Sequence, residues 1–447
     1  MRWLWKSTGG RVLLALVAVA LAVFVVALVI VLPAPLPKLS PEIASRQPDV
    51  AHGAYLAVAG DCTACHTQPG GAAFAGGLPL NTPLGAVYAT NITSDRQTGI
   101  GRYTLPEFFR LMRDGVAADG RRIYPAMPYT AYARVSDADL QDLYGYFLHG
   151  VAPVRQANRP SGIPWPLSIR WPIAFWNRAF LDSRPFRADP GQSAASNRGA
   201  YLVEGLGHCG TCHTPRGPAF EEKATRNDGL AYLSGAALDG QSPSNLRGDV
   251  WTGLGKWTPA EIVELLKTTR TAHTAVAGQM TEVVVNSTQH MRDDDLLAIA
   301  TYLKSLAPAG DVHAGFTPGN GATLRHFLVG QATEPGARIY MDSCSACHRL
   351  DANGVDHAFP SLAGNATVLH KNPDSLVSAI LGGARLPSIA GAPSRLAMPA
   401  FGWRYSDEEI AALATYVRSA WGNRAPAVTA AEVKRLRPKT NNGTDRR

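Results

Sequence analysis

Six cysteines stand in this 447-residue sequence as three pairs, each with the same spacing and the same neighbour. They read Cys62-Thr63-Ala64-Cys65-His66, Cys209-Gly210-Thr211-Cys212-His213 and Cys344-Ser345-Ala346-Cys347-His348. Thiols three residues apart share one face of a helical turn. There they can form thioethers to the two vinyl groups of one porphyrin. The histidine beside the second thiol then falls under the iron and supplies a nitrogen ligand. C-x-x-C-H is the attachment signature for c-type haem. The pattern therefore predicts three covalently bound haem c groups, with His66, His213 and His348 on the irons. Two rival chemistries use the same residue types. A zinc site would lack a fourth ligand at every cluster, and dithiol or disulfide pairs do not call for a following histidine three times over. No cysteine remains for a further disulfide or a catalytic thiol.

A second axial ligand is expected from methionine, because a soft thioether suits haem iron and His/Met ligation raises the potential into the electron-transfer range. Met127 lies in Tyr124-Pro125-Ala126-Met127-Pro128-Tyr129, where prolines hold it off the helix ladder. Met398, in Leu396-Ala397-Met398-Pro399-Ala400-Phe401, repeats that arrangement. The middle motif has two candidates. Met127 precedes Tyr146 by 19 residues and Met398 precedes Tyr416 by 18, both tyrosines being on expected closing helices. Met280 precedes Tyr302 by 22 residues and Met291 by only 11. The spacing selects Met280 and leaves Met291 as core, the usual place of a methionine. His208, next to Cys209, reads as a surface or haem-edge residue. Iron with both axial positions filled has no open site for a substrate, so no catalytic residue is expected in this chain.

The elements that must position these residues follow from pattern. Gly53-Ala54-Tyr55-Leu56 and Gly199-Ala200-Tyr201-Leu202 lead into the first two motifs, and Gly336-Ala337-Arg338-Ile339-Tyr340 into the third. Thr98-Gly99-Ile100-Gly101-Arg102-Tyr103-Thr104 is mirrored by Thr252-Gly253-Leu254-Gly255-Lys256-Trp257-Thr258. Such self-similarity marks duplicated units. Thr104 with Glu107, and Ser406 followed by Asp407-Glu408-Glu409, are helix-start signals, as is Ser136. The expectation is an all-α chain of three tandem cytochrome domains, at 49–150, 195–308 and 331–425. Linkers fill 33–48, 151–194 and 309–330. Residues 68–83 read as loop rather than core. Asn91-Ile92-Thr93 matches a glycosylation acceptor and is taken as chance. Residues 151–194 carry Trp165, Trp171 and Trp176 among prolines, either as a strap packed on the domains or as a docking surface for a partner or the membrane interface. Within the 426–447 tail, 429–437 could form an amphipathic helix on a membrane or partner, and 440–447 read as disordered.

Residues 12–32 are an uncharged apolar run preceded by Arg2, Lys6 and Arg11, with Trp3 and Trp5 at interface depth. At about 1.5 Å per residue the run spans a bilayer core. The charges favour the cytoplasmic side for the N-terminus. A cleaved signal peptide would have a shorter apolar region and a small-x-small site at its end, so a retained transmembrane anchor at 1–32 is the expectation. The haem domains then lie on the periplasmic side of the bacterial inner membrane. The formal net charge of +8 is spread along the chain with no basic block, which argues against nucleic acid.

Taken together the sequence resembles the triheme cytochrome c subunit of bacterial membrane-bound dehydrogenases for alcohols, gluconate, sorbitol and related substrates. The resemblance runs from about Gly53 to Arg437. It is carried by Thr82-Pro83-Leu84-Gly85, Asn91-Ile92-Thr93, Thr98-Gly99-Ile100-Gly101 and Tyr124-Pro125-Ala126-Met127-Pro128. Further on come Gly278-Gln279-Met280-Thr281-Glu282-Val283-Val284, Met398-Pro399-Ala400-Phe401-Gly402-Trp403 and Trp421-Gly422-Asn423-Arg424. The resemblance implies a relay that takes electrons from a catalytic flavin or quinoprotein subunit and passes them to ubiquinone. It also supports Met280. Many members look signal-cleaved, whereas this chain looks anchored. Two alternatives stay open: a cytochrome subunit of a molybdenum hydroxylase or oxidase, and a haem enzyme, such as a peroxidase, with one open axial site.

Overall fold

The computed structural model describes residues 8–32, 35–238, 240–310, 314–319 and 321–437. Arg2, Trp3, Trp5, Lys6 and the stretch 440–447 lie outside the described residues. The chain forms two compact units, Met1–Ala54 with Cys65–Pro185, and Tyr55–Ala64 with Phe186–Arg447.

The fold is mostly helical, not all helical. Two antiparallel hairpins correct the sequence expectation. Strand β1 (Pro79–Thr82) pairs with β2 (Gly85–Tyr88), and β3 (Ala384–Leu386) with β4 (Leu396–Met398). Gly85 turns the first hairpin at φ 133°, a region open to glycine. Pro399 has no N–H to continue the second ladder beyond Met398. The 68–83 stretch is also more than loop. Phe74 is buried with its ring edge-on to Tyr146 and Phe147, at 6.2 and 5.4 Å.

In the first unit, helix Thr8–Val31 is 24 residues long, about 36 Å at the usual rise, and long and apolar enough to cross a membrane. Helix Leu105–Asp114 starts with the capping box Thr104/Glu107, as its sequence predicts. Helix Asp137–Gly145, capped by Ser136, runs into a π turn over Tyr146–Gly150. In the 151–194 stretch, where the sequence shows no period, helix Ile173–Phe180 buries Ile173, Ala174 and Asn177.

In the second unit, helix Ala194–Glu204 packs on Asp293–Ser305, and Pro335–Ser343 on Asp407–Ser419. A glycine makes each crossing possible, and the first unit repeats the device. A Cβ on Gly199 would stand 2.0 Å from the Ala298 carbonyl oxygen and 2.7 Å from Tyr302 Cβ. On Gly336 it would stand 2.3 Å from Ala412 O and 2.7 Å from Tyr416 Cβ, and on Gly53, 2.0 Å from Asp142 O and 2.8 Å from Tyr146 Cβ. The glycines that open the repeated segments thus meet the closing-helix tyrosines Tyr146, Tyr302 and Tyr416.

The helix Ala430–Leu436 does not offer its apolar face to a membrane or partner. Val433 is fully buried against this unit's own core, and the helix packs on Asp374–Gly382 and Asp407–Ser419. Arg435 pairs with Asp374 at 2.6 Å and Arg437 with Asp407 at 2.7 Å. A seven-residue helix has one apolar stripe, and the core has taken it.

Asp295 clamps the second unit's start. Arg198 reaches its two oxygens at 2.6 and 2.9 Å, Arg292 donates at 3.0 Å, and the Tyr55 hydroxyl donates as well. Burial alone would raise this carboxyl, but the bonds from Arg198 and Tyr55 bring it down to about 2. A carboxylate held below its unfolded value, near 4, stabilises the fold above that value and loses the contribution as pH falls toward 2. Asp295→Asn should cost roughly 1–3 kcal/mol at neutral pH. It should also flatten the acid limb of a circular-dichroism unfolding curve between about pH 4 and 2. An unchanged acid limb would remove Asp295 from this role.

Candidate functional site

Each C-x-x-C-H motif folds as a short helical turn: Cys62–His66, Gly210–His213 with Cys209 at its cap, and Ser345–His348 with Cys344 at its cap. Thiols three residues apart in such a turn share one face. All six thiols are partly buried. Burial pushes Cys209 and Cys344 up to about 12, so neither is a reactive thiolate.

The histidines share one geometry. His66 Nδ1 lies 2.7 Å from the Thr90 carbonyl, His213 Nδ1 2.7 Å from Ser244 O, and His348 Nδ1 2.9 Å from Pro360 O. A carbonyl can only accept, so Nδ1 carries the proton and the Nε2 lone pair is left for a metal. Burial lowers the pKa of all three rings, which holds them neutral and fit to ligate.

Nothing in the residue types of the sequence points to these acceptor carbonyls. In two sites the acceptor precedes a buried asparagine. Asn91 Oδ1 accepts from Thr93 N at 2.9 Å while its Nδ2 donates to Val154 O at 2.7 Å. Asn245 Oδ1 accepts from Arg247 N at 2.8 Å while its Nδ2 reaches Asp249 at 2.7 Å. Each asparagine fixes the loop that presents the carbonyl. Asn91 is therefore an internal brace with no room for a glycan.

In the second unit, the second and third motifs open onto one cavity of about 720 Å³. His213, Met280 and Met291 line it, as do His348 and Met398. His208 lines it too, in keeping with a haem-edge position. Met398 lies on strand β4 and Met280 in the first turn of helix Gln279–Asn286, so neither stands on an irregular loop. In the first unit Met127 occupies a turn before helix Tyr129–Tyr132, as expected, and both it and His66 are partly buried. A large apolar cavity in a packed interior, with paired thiols, oriented imidazoles and thioethers on its walls, fits haem c.

Residues 333–421 match the family model for cytochrome c. The chain is 48% identical to the gluconate 2-dehydrogenase cytochrome c subunit of Pantoea cypripedii over 87% of this chain and 89% of that protein. It is 47% identical to the cytochrome c subunit of a quinone-type alcohol dehydrogenase from Gluconacetobacter polyoxogenes, over 87% of this chain and 84% of that one. Identity to the fructose dehydrogenase cytochrome subunit of Gluconobacter japonicus is 37%, over 88% and 84%. The chain belongs to the cytochrome c subunits of dehydrogenases. Its chemistry is therefore electron transfer through covalently bound haem.

Proposed function

We propose that this chain is a triheme relay. It accepts electrons from a catalytic dehydrogenase subunit acting on an alcohol or sugar-type substrate, and delivers them to ubiquinone at the bacterial inner membrane. The observation that carries the reading is the threefold repeat of one site: a C-x-x-C-H turn whose histidine Nδ1 is tied to a backbone carbonyl. On this reading Cys62 and Cys65, Cys209 and Cys212, and Cys344 and Cys347 bind the haems. His66 with Met127, His213 with Met280 and His348 with Met398 hold the irons. Bound haem c supplies reversible one-electron exchange. The protein orients each imidazole through its Nδ1 bond, would supply a methionine thioether as each iron's second ligand and keeps the cavity of the second and third motifs apolar, which favours outer-sphere transfer over bond chemistry. Three tandem cytochrome domains at 49–150, 195–308 and 331–425, anchored from the inner membrane with haems on the periplasmic side, complete the reading. That its relatives are cytochrome subunits of gluconate, alcohol and fructose dehydrogenases supports the substrate class.

Two measurements test it. The mature chain should carry the mass of three haems, and carbon monoxide should leave its reduced spectrum unchanged. A carbon monoxide shift would instead support a haem with one open axial site. Mild-detergent capture of the chain from its native membranes should bring a flavin or quinoprotein dehydrogenase. A molybdenum hydroxylase in its place would overturn the proposed donor.

A further inference from the structure

The proposed relay leaves one surface of the first unit without a role. Residues 151–185 carry three of the chain's nine tryptophans, and Trp165 and Trp171 are exposed to 80% and 54%. Leu167, Phe175 and Phe180 are exposed beside them. The segment is not a loose loop. Tyr129 donates to Asn177 Oδ1 at 2.8 Å and Asn177 donates to Asp114 O at 2.8 Å, which fastens helix Ile173–Phe180 by its inner side. The Arg170 guanidinium lies 3.7 Å from the Tyr124 ring centroid and donates to Arg122 O, while Tyr124 donates to Leu167 O. The outward aromatics are thus held in place by an inward set of contacts.

What stands beside them is the end of the apolar helix. Helix Thr8–Val31 packs on Ile173–Phe180, and Arg122 donates to the carbonyls of Ile30 and Val31 at 3.4 and 3.3 Å. The same segment carries Arg155, Arg159, Arg170, Arg178 and Arg184 against a single acid, Asp182. Rigid tryptophans with arginines, at the level where an apolar helix ends, have the composition of the membrane–water interface. Guanidinium groups there meet lipid phosphates.

We infer that residues 165–180 lie in the outer phospholipid headgroup zone, as a second membrane contact that holds the first unit at a fixed orientation to the bilayer. The occupant of this surface is lipid. The inference rests on the reading that helix Thr8–Val31 spans the membrane.

The test uses the full-length haem-loaded chain in phosphatidylethanolamine/phosphatidylglycerol nanodiscs. Single cysteines are placed by Trp165→Cys, Val23→Cys and Trp403→Cys and probed with a charged, membrane-impermeant maleimide. Trp403, at 83% exposure, is the aqueous reference. The unsubstituted chain is the blank, since its native thiols are bonded to haem on the proposed reading. Each variant is first checked for an unchanged visible spectrum. The expected result is that the labels at 165 and 23 react at least about tenfold more slowly than the label at 403. A fast label at 165 with a slow one at 23 would overturn the inference and leave the span standing. Fast labelling at both would sink the span and the inference together. Protection at 165 that comes only after the catalytic subunit is added would give the surface to that protein instead of to lipid.

Discussion

Met280→Ala should lower the potential of one haem by about 0.2 V, within the roughly 0.8 V that axial ligands command, and should let carbon monoxide bind it. Met291→Ala should leave all three potentials in place and cost about 2–5 kcal/mol of stability. Both side chains line the same cavity, so proximity alone does not separate them. The internal repeat favours Met280 on the proposed reading. Met291 stands two residues before helix Asp293–Ser305, as the fully buried Val135 stands two residues before Asp137–Gly145. It is 4% exposed among Leu296, Ile299 and Leu303, and its carbonyl accepts from Lys267 Nζ at 2.9 Å. That is a packing position with its backbone already committed. Met280 is only partly buried, in the first turn of its helix, packed against the small cluster of Val284, Ile389 and Ala392. Deleting a thioether from iron changes the electronics of one centre. Deleting one from the core leaves a void. Potentiometric titration followed by visible absorption, with thermal unfolding of the same samples, reads both outcomes. A potential that moves with Met291 and not with Met280 would reverse the ligand assignment.

The parts of these sites that were legible in the sequence are those carried by side chains at fixed spacing. The three C-x-x-C-H turns, the capping boxes at Thr104/Glu107 and Ser406/Glu409, and the glycine-led repeats at Gly53 and Gly199 all reappear as structure. What the sequence hid was carried by backbone. The carbonyls of Thr90, Ser244 and Pro360 complete the histidines, yet any residue has a carbonyl, so residue type signals nothing. The buried asparagines were the visible trace: Asn91 read as a chance glycosylation match is the brace of a ligand loop. The two hairpins were hidden for a related reason. Three- and four-residue strands are too short to show a period of two, and the proline beside Met398 says nothing of a strand before it. The shared cavity of the second and third motifs joins side chains more than a hundred residues apart in sequence, and local pattern carries no information about that distance.

Gly336→Val should be the most damaging substitution away from the ligands. The position is the crossing of helix Pro335–Ser343 on Asp407–Ser419, where even a methyl would lie 2.3 Å from the Ala412 carbonyl oxygen. No rotamer relieves that contact, because the near atoms are backbone and Tyr416 Cβ. The helices must move apart. Overpacking a close contact costs about 1–3 kcal/mol, and a branched side chain against backbone sits at the upper end or beyond. The displacement matters to the site because both helices wall the third motif. Pro335–Ser343 leads directly into Cys344, and Leu413 and Val417 of the facing helix line the cavity. The expected result is a fall in unfolding midpoint together with loss of about one third of the haem absorbance, as the third motif fails to mature or to hold its group. Gly382→Ala is the matched control. It ends helix Asp374–Gly382 with nothing within 4 Å of an added Cβ, so it should be neutral or stabilising by up to about 1 kcal/mol with haem content unchanged. Equal losses from both would show that this part of the second unit tolerates no change of glycine for general reasons. A loss from Gly336→Val alone ties haem retention to the spacing of that one helix pair.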